Sequence, residues 1–140
     1  MNAAPRVRVG AVCLRGDELL LVRSGHGPAA GTWDVPSDDV RPGELLAEAV
    51  VRVVGEQCAL DGLCGPFIGW AESLDEGTHD LVMYFDAIVL GERAGVGGSP
   101  DAEPTVAEQR SVPTWDVCEL RLIDGLAEFL ADHGIVDTVV

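Results

Sequence analysis

The chain has 140 residues and a formal net charge of −15. Its length suits one domain with one sizeable core, so we expect a single domain over residues 1–140. The acidic balance argues against direct binding to nucleic acid or to an anionic membrane surface, because both need a basic face. All nine basic residues are arginine, which excludes Schiff-base lysine chemistry and Walker-type phosphate loops, since both need a lysine amine.

No apolar run reaches the roughly 18 to 20 residues that a membrane-spanning helix needs. The start of the chain, Met1 to Arg8, carries arginines but no apolar signal core behind them. We therefore expect a cytoplasmic protein without a membrane partner. A small phosphorylated ligand is compatible with the negative charge if divalent cations cover acidic side chains, because Mg²⁺ commonly bridges carboxylates and phosphates.

Hydrophobic patterning predicts strands at the start of the chain. Val7–Leu14 and Glu18–Val22 are rich in apolar residues and flank turn residues 15–17, which predicts a hairpin. The glycine-rich stretch Ser24–Gly31 predicts a loop. This loop leads to a short extended piece at Thr32–Val35, which a proline stops.

A long turn over Ser37–Gly43 precedes the first predicted helix, Glu44–Gln57. The helical segment lacks proline and carries apolar residues at helical spacing. It also places four charged residues on one i, i+4 polar stripe, namely Glu44, Glu48, Arg52 and Glu56. A solvated face with salt bridges would explain this stripe without any function.

Two further strand-like segments, Phe67–Ser73 and Leu81–Leu90, are predicted to pair as a second hairpin. The glycine- and proline-rich connection Gly91–Pro104 is typical of a mobile loop or a binding lid. Ser111–Trp115 predicts a last short strand, and Glu119–His133 predicts a second helix. Strands, a helix, strands and a helix together indicate a layered α/β or α+β domain.

The stretch from Trp33 to Leu60, WDVPSDDVRPGELLAEAVVRVVGEQCAL, resembles the Nudix box and fits its spacing without a gap. The positions that match the box are Glu44, Arg52, Val54, Glu56 and Leu60. Gly31–Pro36 looks like the family's approach to the box, and the resemblance covers nearly the whole chain. It implies an α/β fold, namely a Nudix-type α/β/α sandwich with a mixed central β-sheet.

The resemblance implies a hydrolase of a nucleoside-diphosphate-linked or similar small molecule. In the family, glutamates that follow the box arginine hold Mg²⁺ or Mn²⁺, and the metal assists attack of water on the diphosphate. For this chain the resemblance implies that Glu56 is the metal ligand and that Arg52 and Glu44 organise the loop. These three residues are therefore the expected catalytic residues. Glu48 lies roughly 12 Å from Glu56 along a helix, too far to share one cation with it.

The metal-binding face departs from the family pattern. Carboxylates at i, i+3 and i+4 lie on one helical face and can converge on the same cations. Those positions are Val53, Glu56 and Gln57 here, so two carboxylates are lost. Asp38 and Ala59 stand where the box has glycine. Losing a positioned acid or base typically costs about 10² to 10⁴ in rate, so we expect weak hydrolysis.

The alternative function is a non-catalytic Nudix-fold module that binds a small ligand or a partner protein in the same cleft. Within the hydrolase hypothesis, Asp38 or Asp39 could swing toward Glu56 and rebuild a metal site. A third hypothesis is a homodimer, because the first helix carries an unusually apolar valine cluster that could bury a partner chain. This cluster consists of Val50, Val51, Val53 and Val54.

Aromatic residues and a histidine have structural explanations as well as functional ones. Aromatic side chains in a small sheet are most often core, and we expect this for most of Trp33, Trp70, Tyr84 and Trp115, with one of them in a ligand cleft as the functional alternative. His79 stands beside Asp80, but neighbouring residues of a strand point to opposite faces. We therefore expect a turn histidine rather than an acid–base pair.

Overall fold

The computed structural model describes residues 4–25, 30–75, 77–92 and 106–136. Within these ranges the strands are β1 Arg6–Val12, β2 Leu14–Arg15, β3 Glu18–Ser24, β4 Trp33–Asp34, β5 Ser37–Asp39, β6 Leu60–Asp75, β7 Thr78–Glu92 and β8 Val106–Pro113. The helices are α1 Leu46–Cys58, a 3₁₀ helix Val117–Glu119 and α2 Leu126–Asp132. In the described part of the chain, no helix is long and apolar enough to cross a membrane.

The strands form two sheets. In the first sheet the order is β5-β1-β7-β6. β1 is antiparallel to β5 and parallel to β7, whereas β6 and β7 form a long antiparallel hairpin, so this sheet is mixed. In the second sheet β3 pairs antiparallel with β2, β4 and β8. The chain passes from one sheet to the other after β1 and again between β4 and β5.

Two hydrophobic cores lie on opposite sides of the sheets. Successive residues of a strand point to opposite faces. Leu20 and Val22 of β3 accordingly join the core that contains α1, whereas Leu19 and Leu21 join the core that contains α2. A helix therefore covers each side of the strands, and this arrangement is the expected α/β/α sandwich with a mixed central sheet.

The predicted hairpin between Val7–Leu14 and Glu18–Val22 is wrong for most of its length. β1 lies between β5 and β7, and only β2 returns beside β3. Cys13, which is fully buried, separates β1 from β2 where the chain changes sheet. β1 buries apolar side chains on both faces, Val9 in one core and Val12 in the other. A strand that is buried on both faces favours a position inside a sheet.

The predicted second helix, Glu119–His133, is too long. The 3₁₀ helix and α2 replace it, and the segment between them is extended where it meets β4. Trp33 donates its backbone N–H to the Arg121 carbonyl (2.8 Å), and Ile123 donates its backbone N–H to the Trp33 carbonyl (2.9 Å). These contacts hold residues 121–123 as a short parallel bridge, so the helix begins only after Gly125, whose φ is +85°.

The first helix and the second hairpin are confirmed, with shifted ends. β5 lies inside the turn that was expected over Ser37–Gly43, because its backbone pairs with β1. The last strand begins at Val106 rather than at Ser111 and pairs with β3 along most of that strand. Most of the connection expected at Gly91–Pro104 lies outside the described residues.

The valine cluster of α1 belongs mainly to the chain's own core. Val50, Val53 and Val54 are fully buried in the α1 core, and only Val51 reaches the surface, with 40% exposure. The hypothesis that this cluster covers a partner chain is therefore wrong for three of its four members. A homodimer stays a prediction without this support.

The expectation that the aromatic residues are core holds for two of them. Trp33 and Tyr84 are buried in the α2 core. Trp70 and Trp115 are 58% and 56% exposed, because Trp70 lies on the edge strand β6 and Trp115 follows the end of β8. The expected turn histidine lies on β7 instead, where its ring Nε2 is 2.6 Å from a carboxylate oxygen of Glu72 on β6.

Ala59, at the C-terminal end of α1, has a left-handed backbone with φ +55° and ψ +41°. This conformation costs an alanine about 1–2 kcal/mol, and glycine adopts it without that cost. We expect Ala59→Gly to raise the free energy of unfolding by about 0.5–1 kcal/mol, since glycine's larger backbone entropy offsets part of the gain. Urea denaturation followed by circular dichroism measures the change.

The matched control is Ala47→Gly in the exposed first turn of the same helix. Glycine there should lower the free energy of unfolding by up to about 1 kcal/mol, because α-helical backbone gains nothing from glycine. A loss of stability in both variants would contradict the strain assigned to Ala59.

Candidate functional site

Arg52 of α1 lies at the centre of the predicted box residues. Its side chain is only 12% exposed and makes a two-pronged contact with Glu44, which precedes the helix. Nε donates to Glu44 Oε2 at 2.7 Å, and Nη2 donates to Glu44 Oε1 at 3.1 Å. Nη2 also donates to the backbone carbonyl of Asp39 on β5 at 2.8 Å. One guanidinium thus ties the helix to the preceding loop and to the edge strand.

The remaining Arg52 nitrogen, Nη1, contacts two further carboxylates. It lies 3.1 Å from Asp38 Oδ2 and 3.3 Å from Glu56 Oε2. Arg41 approaches the same Glu56 oxygen through Nη2, also at 3.3 Å. These residues form what we call the arginine network: Asp38, Arg41, Glu44, Arg52 and Glu56. The three predicted site residues Glu44, Arg52 and Glu56 are therefore brought together.

The charges of the network stabilise one another. The hydrogen bonds from Arg52, together with a backbone N–H from Arg41, lower the pKa of Glu44 to about 2. The same contact with Glu44 raises the pKa of Arg52 above its usual value. Because both groups are charged over the whole physiological range, the pair supports the loop independently of ordinary changes in pH.

Gln57 binds the backbone of β5 through both ends of its side-chain amide. Nε2 donates to the Ser37 carbonyl at 2.8 Å, and Oε1 accepts the Ser37 backbone N–H at 3.3 Å. A glutamate at this position has no N–H for the carbonyl oxygen and would place a negative charge beside it. The amide is therefore suited to holding α1 against the strand.

Of the three helix positions that the family pattern uses for a metal, only Glu56 has a carboxylate. Val53 is fully buried in the α1 core and has no donor atom. Gln57 directs an N–H at Ser37, and Glu56 shares one carboxylate oxygen with two guanidinium groups. No group of three or more His, Cys, Asp or Glu side chains that could hold a metal occurs among the residues for which the structure gives positions. The residues present do not fit a divalent cation.

Both neighbouring aspartates, the candidates for rebuilding a metal site, are paired with arginines. Asp38 is in the arginine network, paired with Arg52, and lies on β5 rather than in a loop. Asp39 pairs with Arg8 at 3.1 Å and with Arg6 at 3.5 Å on β1. Glu48 lies outside the network contacts described above and accepts a hydrogen bond from the backbone N–H at the start of α1.

A cleft of about 260 Å³ opens beside the arginine network, where β1, β3, β4 and β5 meet. Among the described residues, seven polar ones line it, namely Arg8, Ser24, Thr32, Asp34, Ser37, Asp38 and Gln57. Apolar residues in its wall are Val22, Val35, Val106 and Ile123. The cleft therefore offers hydrogen-bonding groups and an apolar surface to the same ligand.

Asp34 is one of the two acids among these lining residues. Oδ1 accepts the Val35 backbone N–H at 2.7 Å, and Oδ2 accepts the Ser37 hydroxyl at 3.1 Å. Burial raises the pKa of Asp34 to about 6, although the hydrogen bond from Ser37 and the charge of Arg8 oppose this shift. A carboxyl group with such a pKa in a cleft is a common feature of functional sites.

Sequence reasoning did not identify Arg8, Asp34 and Ser37 as polar residues that line the cleft. A signal was present, because Arg8 and Asp34 are charged residues inside otherwise apolar strand segments. Charged side chains in such positions are seldom buried without a partner or a function. These residues come together because the chain crosses from one sheet to the other. The expected hairpin placed β1 beside β3 in one sheet and therefore did not include this crossing.

Known proteins share the sequence pattern of this chain. A family model described as "NUDIX domain" matches residues 4–132. The mouse (Mus musculus) protein "8-oxo-dGDP phosphatase NUDT18" is 38% identical over 50 residues. Those residues are 36% of this chain but only 15% of the mouse protein, so the likeness covers a small part of that relative.

Solved structures share the fold. The MutT protein from Methanosarcina mazei Go1 superposes with a TM-score of 0.77 at 21% identity, covering 96% of both chains. The NUDIX domain of Shewanella oneidensis NrtR, complexed with ADP ribose, superposes with a TM-score of 0.70 at 18% identity. That match covers 92% of this chain and 86% of the other. The Nudix-type fold expected from the sequence is confirmed.

Acid should weaken the contact between Glu44 and Arg52 in a defined pH window. Since the folded pKa of Glu44, about 2, lies below its ordinary value of 4.5, the stability it contributes is present above 4.5 and is lost as the pH falls toward 2. We expect Glu44→Gln to be less stable than wild type at pH 7 and to lose less stability in this window. Acid unfolding followed by circular dichroism measures both; parallel profiles would contradict the assignment.

Asp34 should have the opposite effect. Its folded pKa of about 6 lies above its ordinary value of 3.8, so the folded state holds the proton more tightly and stability falls as the pH rises between these values. Asp34→Asn should therefore gain stability over wild type through this window, by about 2 kcal/mol at its upper end. Urea denaturation between pH 4 and 8 tests this.

Ser37→Ala provides the comparison for this pH effect. Removing the Ser37 hydroxyl takes away a hydrogen bond that lowers the pKa of Asp34. The pH range over which stability falls should therefore extend to higher pH in this variant. A pH profile of Asp34→Asn that stays parallel to wild type would exclude the buried-acid interpretation.

Proposed function

We propose that this chain, which belongs to the NUDIX domain family, binds a nucleoside-diphosphate-linked small molecule in the cleft and hydrolyses it slowly at most. One observation carries the proposal. The cleft keeps both polar and apolar lining residues, while Glu56 is the one carboxylate at the three metal positions of the box helix, and two arginines already contact it.

The binding part of the proposal rests on the chemistry of the cleft. Apolar lining residues such as Val22 and Ile123 suit a ring, and the polar lining residues offer hydrogen-bonding groups. A volume of about 260 Å³ is slightly smaller than a typical site for a whole drug-sized ligand, so part of the molecule would extend beyond the cleft. The structural neighbour from Shewanella oneidensis is complexed with ADP ribose, a compound of this class.

The catalytic part rests on what the box side chains do instead. The Gln57 amide is hydrogen-bonded to the Ser37 backbone, and the Val53 side chain is buried in the α1 core. Loss of a positioned acid or base typically reduces rates by about 10² to 10⁴. Nudix hydrolases generally use divalent metals, and this helix lacks the set of carboxylates that would hold one. Binding without efficient turnover follows from this combination.

Slow hydrolysis is the second candidate, and the exposure of Glu56 favours it. The Glu56 side chain is 46% exposed, and its contacts with Arg41 and Arg52 are both 3.3 Å long. Ion pairs at such exposed positions contribute only about 0–1 kcal/mol, so a ligand could displace Arg41 from Glu56. A released carboxylate beside the cleft could still act on a bound diphosphate.

Two measurements on a panel of nucleoside diphosphates, nucleoside triphosphates, nucleotide sugars and ADP-ribose separate these candidates. Calorimetry measures binding, and phosphate release after coupling to a phosphatase measures hydrolysis, with Mg²⁺ or Mn²⁺ present. We expect at least one compound to bind and its hydrolysis to stay near background. We also expect Glu56→Gln to bind that compound like wild type.

Glu48→Gln is the control, because Glu48 is a glutamate of the same helix that contacts the helix start instead of the network. Phosphate release that Glu56→Gln abolishes and Glu48→Gln retains would establish hydrolysis through Glu56 and replace the binding role. If no compound of the panel binds or reacts, the proposed ligand class is wrong.

A further inference from the structure

Arg8 is the one positively charged residue among those that line the cleft in the described part of the chain. It lies on β1, between β5 and β7, and its side chain is 23% exposed. Its neighbour Val9 points into the α1 core, so Arg8 points to the opposite face of the sheet. Strand geometry therefore places a guanidinium in the cleft wall.

The Arg8 guanidinium has an unused donor. Nε is buried and makes no hydrogen bond, although it lies 3.1 Å from Asp39 Oδ1, which gives an ion pair with poor directional geometry. Buried donors in folded proteins nearly always have a partner, because leaving one unsatisfied is costly. The protein therefore does not saturate the Arg8 guanidinium. Because Nε itself is shielded from solvent, a ligand in the cleft would meet the exposed part of this side chain.

The acidic side chains of the cleft have their oxygens engaged by the protein. Both oxygens of Asp34 accept hydrogen bonds, from Val35 and from Ser37. Asp38 pairs with Arg52 in the arginine network. Both ends of the Gln57 side-chain amide are likewise hydrogen-bonded to the Ser37 backbone. Arg8 is thus the positively charged residue of the lining, and its guanidinium keeps hydrogen-bonding capacity for an anion.

We propose that Arg8 binds the anionic group of the cleft ligand, a diphosphate, and that this binding needs no divalent cation. The proposal rests on the cleft described under Proposed function and adds the group that recognises the ligand. A guanidinium is planar, stays charged and presents its N–H donors in a fork that matches two phosphate oxygens. Arg8 thereby supplies the positive charge that the box helix is not arranged to hold as a metal ion.

Inorganic pyrophosphate is the probe, because it carries the diphosphate without a nucleoside. Calorimetry is performed on the whole chain in EDTA and again with Mg²⁺. We expect wild type to bind pyrophosphate in EDTA. Added Mg²⁺, which complexes pyrophosphate in solution, should not strengthen the binding. Arg8→Gln should weaken binding at least about tenfold, as expected for the loss of charge-assisted hydrogen bonds. Arg8→Lys should fall between them, because it keeps the charge and loses the fork.

Arg6→Gln is the matched control. Arg6 lies on the same strand, contacts the same Asp39 at 3.5 Å and pairs with Asp80, but it does not line the cleft. This variant removes an equal charge and should bind pyrophosphate like wild type. Thermal unfolding of all variants checks that they fold, and affinities are compared at a temperature where each one is folded.

Three results would overturn the proposal. They are no binding of pyrophosphate in EDTA, binding that requires Mg²⁺, and equal losses in Arg8→Gln and Arg6→Gln. Two other results distinguish a failure of the proposed function from a failure of the role of Arg8. If pyrophosphate binds through Arg8 but no nucleoside-linked compound binds more tightly, the anion site stands and the ligand class is wrong. If nucleoside-linked compounds bind only with Mg²⁺, the function stands and the role of Arg8 is wrong.

Discussion

The two-pronged contact between Arg52 and Glu44 is the interaction on which the arrangement of the site depends. Both nitrogens that face Glu44 are used, and the same guanidinium also holds the Asp39 carbonyl on β5. A planar group with donors in fixed directions can connect a helix, a loop and a strand, whereas a lysine ammonium cannot match this geometry. Arg52 therefore helps to hold β5, which also pairs with β1 and supplies Ser37 and Asp38 to the cleft.

The arginine network also neutralises acidic side chains on and near the box helix. In a protein with a net charge of −15, a cluster of carboxylates is expected to attract cations. Here Arg41 and Arg52 lie among Asp38, Glu44 and Glu56, so the cluster is largely neutralised by the chain itself. The hydrogen bonds of Gln57 add a neutral link at the same place. The helix retains its structural role, and arginines contact the carboxylate of Glu56.

Much of the fold and part of the site could be predicted from the sequence. The spacing of apolar residues located α1 and the long β6–β7 hairpin, because local periodicity depends on secondary structure itself. The box pattern located Glu44, Arg52 and Glu56, which the fold brings together. The resemblance to the box also indicated that Val53 and Gln57 stand where the family pattern has carboxylates, because this comparison needs only residue identity and spacing.

Only the tertiary structure decided which strands pair and which groups share the cleft. β1 has apolar residues on both faces, and its local pattern does not distinguish a partner in β3 from partners in β5 and β7. Arg8, Asp34 and Gln57 lie far apart along the chain and meet because the strands cross between two sheets. Pairing of distant strands depends on the packing of the whole core. The sequence by itself therefore determined the family and the box residues, and long-range packing decided the cleft.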